Sequence, residues 1–270
     1  MKKRKKLHFS TVFLMLLLIA FGWWINNHTL SINTSEVRSG LINDEITIVQ
    51  LSDLHGAVFG NDNEILLSRI LAQSPDIIAV TGDMFTRDSE TGRETALELL
   101  AALADKYPVY YVNGEHDDDE AFFSLLRDNG VNVLNYEDEV IMVKNTGLHL
   151  YGIDNVYFPD HFDLKNAFDQ DESTFSILLS HIPESERFSS FGMELILSGD
   201  SHGGIFRLPY VGAVYDGGEL LPDMNGKLTK GLYELDDQHI HVSGGLGNYP
   251  LPLRFWNRPE IAVIKLQPNQ

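Results

Sequence analysis

The feature that most restricts the fold of this chain is a repeated pattern in which a short apolar run ends abruptly in polar residues. The runs are rich in Val, Ile, Leu and Tyr, and they occupy residues 46–51, 76–80, 109–112, 148–151, 175–179 and 195–197. Each is followed directly by Asp, His, Gly, Asn, Ser, Thr or Glu. Runs of this length and composition are typical of buried strands, so several strands should form the core of the protein.

Helical segments separate the first three runs. Residues 63–73 carry apolar side chains at helical spacing, and Thr91 with Glu94 forms a capping-box pattern before the next apolar stretch. A third helix is expected at 121–127. The alternation of strand and helix predicts parallel βαβ units. Beyond about Val131 strand-like segments dominate, so the sheets are expected to be mixed and the class α/β.

Candidate reactive residues follow the apolar runs. They are acidic or imidazole side chains, namely Asp53, His55, Asp83, Glu115, His116, His181, Asp200 and His202. A single Asp or His at a strand end has an ordinary structural explanation, but reactive groups of α/β sheets collect at the carboxyl ends of strands. Imidazoles and carboxylates without thiolates suit Mn, Fe, Zn or Mg. The set exceeds the needs of one ion, which favours a pair of cations.

The composition narrows the classes of function. The chain has 270 residues, no cysteine, and 39 acidic against 20 basic residues. Five of the basic residues lie within positions 2–6, and the remaining 15 leave the rest of the chain with a formal charge of −24. Such an acidic body repels polyphosphate backbones and disfavours nucleic acid as a partner. The lack of thiols excludes disulfides and cysteine nucleophiles.

An uncharged stretch at residues 7–25 predicts a membrane helix. As a helix it spans about 28 Å, close to the hydrocarbon thickness of a bilayer. Trp23 and Trp24 stand at its far end, where aromatic rings favour the membrane interface. The basic tail at 1–6 then predicts a single-pass signal anchor in the cell membrane with a cytoplasmic N-terminus.

The anchor prediction has consequences for the rest of the chain. Residues 26–44 are polar and are expected to be a linker, and residues 45–270 are expected to form an extracytoplasmic domain. A cleaved signal peptide is the alternative. The bulky residues that follow Ala20 do not form a small-residue cleavage pattern, so the retained anchor is favoured.

The order of the motifs carries a resemblance to a known family. The motifs are Asp53-x-His55, Gly82-Asp83, Gly114-Glu115-His116-Asp117, His181 and Gly199-Asp200-Ser201-His202-Gly203-Gly204. Together they resemble the calcineurin-like metallophosphoesterases, and in particular a bacterial membrane-associated branch. The resemblance implies a four-layer α/β/β/α sandwich, two divalent metal ions, and hydrolysis of phosphate mono- or diesters. We expect the bond to be a phosphodiester or a pyrophosphate, and the substrate to be a phosphorylated small molecule or lipid.

The resemblance also implies a role for each candidate residue. One metal would be held by Asp53, His55 and His202, the second by Glu115, His181 and Asp200, with Asp83 bridging the two. His116 would lie beside the leaving group as a general acid or as a stabiliser of developing charge. A metal-bridging hydroxide would attack phosphorus. Mn is the expected ion, with Fe, Zn, Mg and Ca as alternatives.

Two positions depart from the family pattern. Glu115 stands where an Asn is expected, and Asp200 stands where a His is expected. With Asp53 and Asp83 they bring four negative charges, enough to neutralise two divalent cations and weaken the attraction for phosphate. Oxygen-rich ligands favour Mn, Mg or Ca at the second site. The chain is therefore either a hydrolase with an altered metal preference, or a weakly active or inactive metal-binding surface protein.

Further candidates have simpler interpretations. An apolar loop at 205–211 lies close to the last His motif, and it offers a route for a lipid-linked phosphate or ordinary packing. His239 and His241 alternate on a strand and are expected to face solvent. His149 is expected to be a satisfied, partly buried residue. The acidic run 117–120 is expected to cap the helix that follows it.

Overall fold

The architecture is known from a computed structural model, which describes residues 2–154, 168, 171, 173–184, 188, 192–204, 206–216, 218–235, 238–249 and 253–269. The α-helices within this part of the chain are α1 (Lys2–His28), α2 (Glu64–Leu71), α3 (Glu90–Ala104) and α4 (Glu120–Asp128). The strands are β1 (Ser31–Ser39), β2 (Ile46–Leu51), β3 (Ile77–Thr81), β4 (Val109–Val112), β5 (Asn132–Val133), β6 (Glu137–Val143), β7 (Thr146–Ile153), β8 (Phe175–Ser180), β9 (Leu195–Ser198), β10 (Arg207–Leu208), β11 (Gly212–Ala213), β12 (Tyr215–Asp216), β13 (Glu219–Leu220), β14 (Gly231–Leu235), β15 (Gln238–Val242) and β16 (Glu260–Pro268).

The first sheet has the strand order β1-β16-β2-β3-β4-β5. Strands β2 to β5 are parallel to one another, β16 runs antiparallel to β2, and β1 runs parallel to β16. Because β2, β3 and β4 are parallel, their carboxyl ends meet at one edge of the sheet. The βαβ connections expected from the sequence are therefore confirmed.

The second sheet has the strand order β14-β15-β9-β8-β7-β6. Its four central strands are parallel, and both edge strands run antiparallel to their neighbours. Both sheets are thus mixed, as the sequence predicts. The carboxyl ends of β8 and β9 lie at the edge that faces the ends of β2 to β4, because His181 and Asp200 lie close to Asp83 and Asp53.

Apolar side chains hold the layers together. Between the two sheets, residues such as Ile48 and Ile77 pack with Ile177 and Leu195, all of them buried. On the outer face of the first sheet, the helices α2 to α4 bury apolar side chains such as Leu100. Burial of apolar surface contributes about 25 cal/mol per Å², so these two interfaces supply most of the favourable free energy of folding.

The mixed α/β sandwich expected from the sequence is confirmed. The outer face of the second sheet also buries apolar residues, among them Leu178 and Ile196 in contact with Phe168 and Phe188. The helical layer expected on this face falls on residues 155–191, most of which lie outside the described residues.

The expected linker at 26–44 differs from the structure. Its central part, Ser31–Ser39, is strand β1, which pairs with β16 from Ser31 opposite Glu260 to Ser39 opposite Pro268. Its side chains are mostly polar because β1 is an edge strand, in which Val37 is buried and Asn33 and Thr34 are exposed. Main-chain hydrogen bonds to β16 stabilise this polar strand. The pattern of apolar side chains in the sequence does not reveal such bonds, so it does not predict the strand.

The ends of the helices also differ in part from expectation. Ser89, and not Thr91, caps α3, since its side chain accepts a hydrogen bond from the backbone N of Gly92 at 3.2 Å. Asp119 caps α4 through hydrogen bonds from the two backbone N–H groups that follow Glu120, which confirms the expected acidic cap. Helix α1 is longer than the predicted span, and its residues Thr11–His28 are long and apolar enough to cross a membrane.

Candidate metal centre

Five strands deliver the candidate residues to one place. Asp53 and His55 follow β2, Asp83 follows β3, Glu115 and His116 follow β4, His181 follows β8, and Asp200 and His202 follow β9. Nitrogen or oxygen atoms of these residues fall into groups of three whose atoms lie within 4.8 Å of one another. The sixth polar strand end, Asp154 after β7, belongs to none of the groups found among the described residues.

Two groups are joined through Asp83. The first contains Asp53, His55 and His202, whose ring nitrogens Nε2 of His55 and His202 are 3.2 Å apart. The second contains Glu115, His181 and Asp200. Oδ2 of Asp83 is 3.7 Å from Nε2 of His55 and 3.5 Å from Nε2 of His181. This carboxylate therefore lies between the two groups.

The backbone at the site is strained in a consistent way. Five candidate ligands have positive φ angles close to the left-handed region: Asp53 (52°), His55 (48°), Asp83 (54°), Asp200 (66°) and His202 (49°). For residues other than glycine, such conformations cost about 1–3 kcal/mol each. The strain turns successive side chains inward from the strand ends, which is how two residues of one loop can reach the same pocket.

Hydrogen bonds set the orientation of the imidazole rings. Nδ1 of His181 donates to the carbonyl of Thr81 at 2.7 Å, which turns Nε2 towards Oδ2 of Asp83, 3.5 Å away. Nδ1 of His55 lies 3.3 Å from Oγ1 of Thr86, so its Nε2 also faces the cluster. Neutral rings held in this orientation are the form in which histidine binds a metal ion.

Burial and charge shift the pKa values of the cluster. Burial raises the pKa of Asp53 to about 7 and lowers the pKa of His55 to about 4. Burial also opposes ionisation of Asp83, but the neighbouring His181 and His55 outweigh it and lower the pKa of Asp83 to about 2. Burial raises the pKa of Glu115, and the negative charge of Asp83 adds to that rise. Without a cation, the negative charge of the carboxylates exceeds the positive charge that the imidazoles can provide.

The donor set fits divalent cations. Oδ2 of Asp53 and Nδ1 of His202 are buried without a hydrogen-bond partner among the described residues, and buried polar atoms of this kind are uncommon. Gly114 keeps space beside the cluster, because a Cβ there would overlap Oδ1 of Asp83. Imidazole nitrogens and carboxylate oxygens in one buried pocket match the preferences of Mn, Fe and Zn.

His116 lies at the open side of the cluster. Its backbone N donates to Oδ1 of Asp83 at 2.9 Å, and its ring stands edge-on to His55, with centroids 5.2 Å apart. The backbone N of Arg87 lies 3.5 Å from Nδ1 of His116 and donates to it. The guanidinium of Arg87 reaches the carbonyl of Glu115 at 2.5 Å.

Tyr249 is a residue of the site that the sequence reasoning missed. Its ring stacks on His55 with centroids 5.0 Å apart and stands edge-on to His116 at 4.5 Å. The ring is 38% exposed and forms one wall of the pocket. No motif marks this position, and only its place directly after the Gly247-Asn248 run could have drawn attention to it.

Arg254 and Asn257 support the cluster from behind. The Arg254 guanidinium is buried and donates to the carbonyls of Gly244 at 2.7 Å and Gly247 at 2.6 Å. Asn257 donates from Nδ2 to the carbonyl of His202 at 2.7 Å. These bonds fix the loops that carry His202 and that pack against Asp53. No role for either residue was predicted from the sequence.

The remaining candidates have structural roles. His149 is buried, with Nε2 2.6 Å from Asp138 and Nδ1 2.7 Å from the hydroxyl of Tyr151, so the expectation of a satisfied histidine is confirmed. The expectation that His239 and His241 face solvent is wrong for His241. His241 is buried, and its Nδ1 lies 2.8 Å from Oε1 of Gln50 on β2 of the first sheet. The acidic run contributes one buried member, Asp117, which accepts backbone hydrogen bonds from Met84 and Gly114.

A two-sheet sandwich with imidazoles and carboxylates gathered at its strand ends is the architecture of a metal-dependent phosphoesterase. The chain belongs to the calcineurin-like phosphoesterase family, whose model matches residues 46–204. It is accordingly a hydrolase of phosphoric ester bonds, and its family depends on metal ions.

Similar proteins span most of the chain. The metallophosphoesterase YkuE of Bacillus subtilis is 28% identical over 261 residues, which cover 92% of this chain and 89% of YkuE. The phosphodiesterase YaeI of Escherichia coli is 26% identical and covers 81% of each chain. A transmembrane protein with a metallophosphoesterase domain from Danio rerio is 28% identical, covering 82% of this chain and 53% of that protein. Among solved structures, the NAD nucleotidase of Haemophilus influenzae has a TM-score of 0.49 at 13% identity, over 75% of this chain and 45% of its own.

Proposed function

We propose that the chain hydrolyses a phosphodiester or pyrophosphate bond at a centre of two divalent cations, with Mn as the preferred ion and Fe, Zn, Mg and Ca as alternatives. The observation that carries this proposal is the position of Asp83. One carboxylate lies within 3.7 Å of His55 in the first group and within 3.5 Å of His181 in the second. A carboxylate shared between two ligand groups is what a pair of ions a few ångströms apart requires.

The ligand assignment follows the two groups. Asp53, His55 and His202 would hold one cation, and Glu115, His181 and Asp200 the other, with Asp83 shared. Two divalent cations bound there would supply positive charge that attracts the phosphate. They would also make hydroxide available at neutral pH.

The chain's own residues then provide proton transfer and positioning. His116 lies beside His55 and Asp83, and as an imidazolium it could give one proton to the departing oxygen and return to the neutral ring. Asp83 fixes the backbone of His116, so the general acid and the ligand that joins the two groups move as one unit. Tyr249 covers the face of His55 and limits access of water from that side.

Whether the enzyme is active or weakly active depends on the second ligand group, Glu115, His181 and Asp200. Burial raises the pKa of Asp200, and burial together with Asp83 raises that of Glu115. Two extra carboxylates reduce the net positive charge left for phosphate and favour oxygen-preferring Mn, Mg or Ca. The alternative function is a weakly active metal-binding surface protein. The complete first group, with Asp83 and His116, favours the hydrolase.

The anchor and its topology complete the proposal. Helix α1 would span the cell membrane with the basic residues on the cytoplasmic side, and the catalytic domain would be extracytoplasmic. The relative from Danio rerio is named a transmembrane protein, which supports an anchored domain in this family. An anchored phosphoesterase meets phosphate groups carried by lipids, and the exposed apolar residues that follow His202 favour such a substrate.

Metal content and turnover test the proposal together. The full chain, purified in detergent, is expected to contain divalent metal by elemental analysis and to hydrolyse a chromogenic phosphodiester in a Mn-dependent manner. Asp83→Ala should remove both properties. Glu98→Gln changes an exposed acid on α3 and should change neither.

Each outcome of this experiment has a separate meaning. Metal without turnover at saturating Mn would favour the binding protein over the enzyme. A chain that binds no metal would exclude both, and leave an anchored domain with a structural role.

A further inference from the structure

An exposed aromatic and aliphatic surface lies next to the metal centre. It consists of Phe206, Leu208, Tyr210, Leu220, Phe255 and Trp256, and is called the aromatic face here. Every member is at least 39% exposed, and Tyr210 is fully exposed. Scattered apolar residues are normal on protein surfaces, but a contiguous group of this size marks an interaction surface.

Backbone contacts make the aromatic face continuous. Phe206 and Phe255 form an isolated β-bridge, with ring centroids 6.0 Å apart, and the rings of Phe255 and Trp256 are 4.7 Å apart. A cleft of about 480 Å³ separates Trp256 from Leu208 and Tyr210. The backbone N of Arg207 donates to the carbonyl of Phe255 at 3.0 Å. This bond brings together two loops that are almost fifty residues apart in sequence, so the residues on them form one surface.

The end of helix α1 lies beside the aromatic face. Asn27 hydrogen-bonds the backbone of Arg254 through its side-chain amide, at 3.1 Å to the carbonyl and 2.8 Å from the N–H. Trp256 follows two residues later, which places its Cα within about 7 Å of the Cα of Arg254. Trp23 and Trp24, one turn before Asn27, are also exposed. Aromatic rings of the helix and of the domain therefore lie close to the same point.

We infer that the aromatic face docks on the lipid bilayer that α1 enters, with its rings at the boundary between headgroups and acyl chains. The inference rests on the proposed anchor. Trp and Tyr favour this boundary because their rings combine apolar bodies with polar atoms. The Asn27–Arg254 contact holds the domain against the helix end, so the surface that adjoins that end meets the membrane first.

Charge determines which lipids suit this surface. Arg207, beside the face, is paired with Asp223 at 3.0 Å, and Lys227 is paired with Asp216 at 2.6 Å. These cations are therefore neutralised within the protein, and the chain after its basic tail is strongly acidic. Docking through aromatic rings needs no anionic lipid, so zwitterionic phosphatidylcholine is the appropriate test membrane.

The aromatic face adjoins the loop that carries one candidate ligand, His202. Phe206 lies four residues after His202, and Asn257, next to the aromatic face, donates to the His202 carbonyl at 2.7 Å. Docking would bring the cluster to the level of the headgroups, where the phosphate of a lipid ester lies. Hydrogen bonds thus connect the end of α1 to Arg254 and connect Asn257, next to the aromatic face, to His202.

The three tryptophans of the chain allow a direct test. In the Trp23→Phe/Trp24→Phe variant, Trp256 is the only remaining tryptophan. The full chain is reconstituted in phosphatidylcholine vesicles with either ordinary or brominated acyl chains, since bromine quenches tryptophan on contact. We expect brominated vesicles to lower the emission of Trp256, whose ring should lie about 5–10 Å inside the interface.

Two further variants provide the controls. Trp256→Phe keeps the tryptophans of α1 and reports whether the helix enters the bilayer. In a chain with all three tryptophans replaced by Phe, Met142→Trp places a probe on edge strand β6, opposite Gly147 at the end of the sheet away from the cluster. This probe is on an exposed apolar position and should not be quenched.

The outcomes separate the two claims. Quenching of Trp256 and of the helix tryptophans, without quenching at position 142, supports docking. Quenching of the helix tryptophans alone keeps the anchor and overturns docking of the aromatic face. Absence of quenching in all variants overturns the anchor itself, and the inference falls with it.

Discussion

The side-chain amide of Asn27 pairs with both backbone atoms of Arg254, although the two residues are 227 positions apart in sequence. Asn27 closes helix α1, and Arg254 holds the carbonyls of Gly244 and Gly247 with its guanidinium. Gly247 in turn lies against Leu54, between two candidate metal ligands. A short path of hydrogen bonds thus connects the end of helix α1 with the floor of the candidate metal centre.

Replacing Asn27 should destabilise the domain. In Asn27→Ala the buried backbone N–H and C=O of Arg254 lose their partners, at a cost of about 1–3 kcal/mol in the free energy of unfolding. Asn26→Ala is the matched control, because among the described residues the Asn26 side chain hydrogen-bonds to Gly22 within its own helix. Thermal unfolding of the two variants in detergent should show a lower Tm for Asn27→Ala alone. Equal Tm values would mean that the contact adds nothing to stability.

Restoring the family residues in the second ligand group should raise activity. Glu115→Asn with Asp200→His removes two negative charges from the pocket that receives phosphate. If that charge limits turnover, phosphodiesterase activity at saturating Mn should increase by about tenfold or more, which corresponds to about 1.4 kcal/mol of barrier. Unchanged or lower turnover would refute the charge account and indicate that the carboxylates suit the native ion.

Removing the imidazole at position 116 should affect poor leaving groups most. His116→Gln deletes the proposed proton donor and should lower kcat for an alkyl phosphodiester by about 10²–10⁴-fold. A nitrophenyl ester, whose leaving group needs no proton, should lose far less. His239→Gln on β15 is the control and should leave both rates unchanged. An equal loss on the two esters would assign His116 to charge stabilisation and not to proton transfer.

Metal binding should release protons and weaken in acid. Burial raises the pKa of Asp53 to about 7 in the metal-free site, so below that pH the carboxyl carries a proton that a cation must displace. The apparent affinity for Mn should therefore increase as pH rises towards 7. Calorimetry at about pH 5 and about pH 8, in buffers of different ionisation enthalpy, measures both affinity and protons released. Identical affinities at the two pH values would contradict the protonated apo state.

Polar substitutions in the aromatic face should separate lipid from soluble substrates. Phe255→Ser with Trp256→Ser removes two exposed rings without altering any candidate ligand. Hydrolysis of a phospholipid ester in vesicles should fall, because the pocket is no longer held at the headgroups, while hydrolysis of a soluble chromogenic ester should persist. An equal fall on both substrates would indicate damage to the fold. No fall on either would remove the case for a lipid substrate.

The sequence predicted the core of the fold because that information is local. Each buried strand is an apolar run, and the first polar residue after it is placed at the sheet edge by the strand itself. Asp53 and Asp83 follow β2 and β3, and parallel pairing of these strands is enough to bring the two residues together. His181 follows β8 of the second sheet and reaches Asp83 because the two sheets pack with these strand ends at the same edge. The same reasoning could not supply the left-handed turns that let Asp53 and His55 point into one pocket.

Contacts between distant segments could not be predicted. Strand β1 is polar and depends on main-chain bonds to β16, so no apolar pattern marks it. Asn27 and Arg254 are far apart in sequence and come into contact only in the folded chain. Tyr249 has no neighbouring motif, and its role arises from where the loop after β15 turns towards His55. These are properties of the assembled molecule, and a single sequence does not encode them in any short window.

The pairing of β1 with β16 sets the order of events during biosynthesis. Ser31 at the start of β1 bonds to Pro259, 228 residues later, so the partner of β1 leaves the ribosome only after both sheets have been translated. Contacts of such long range form slowly. Until then β1, the strand that follows helix α1, has an open edge that other chains can join. The nascent chain therefore carries an unpaired polar strand, β1, until its last strand has been made.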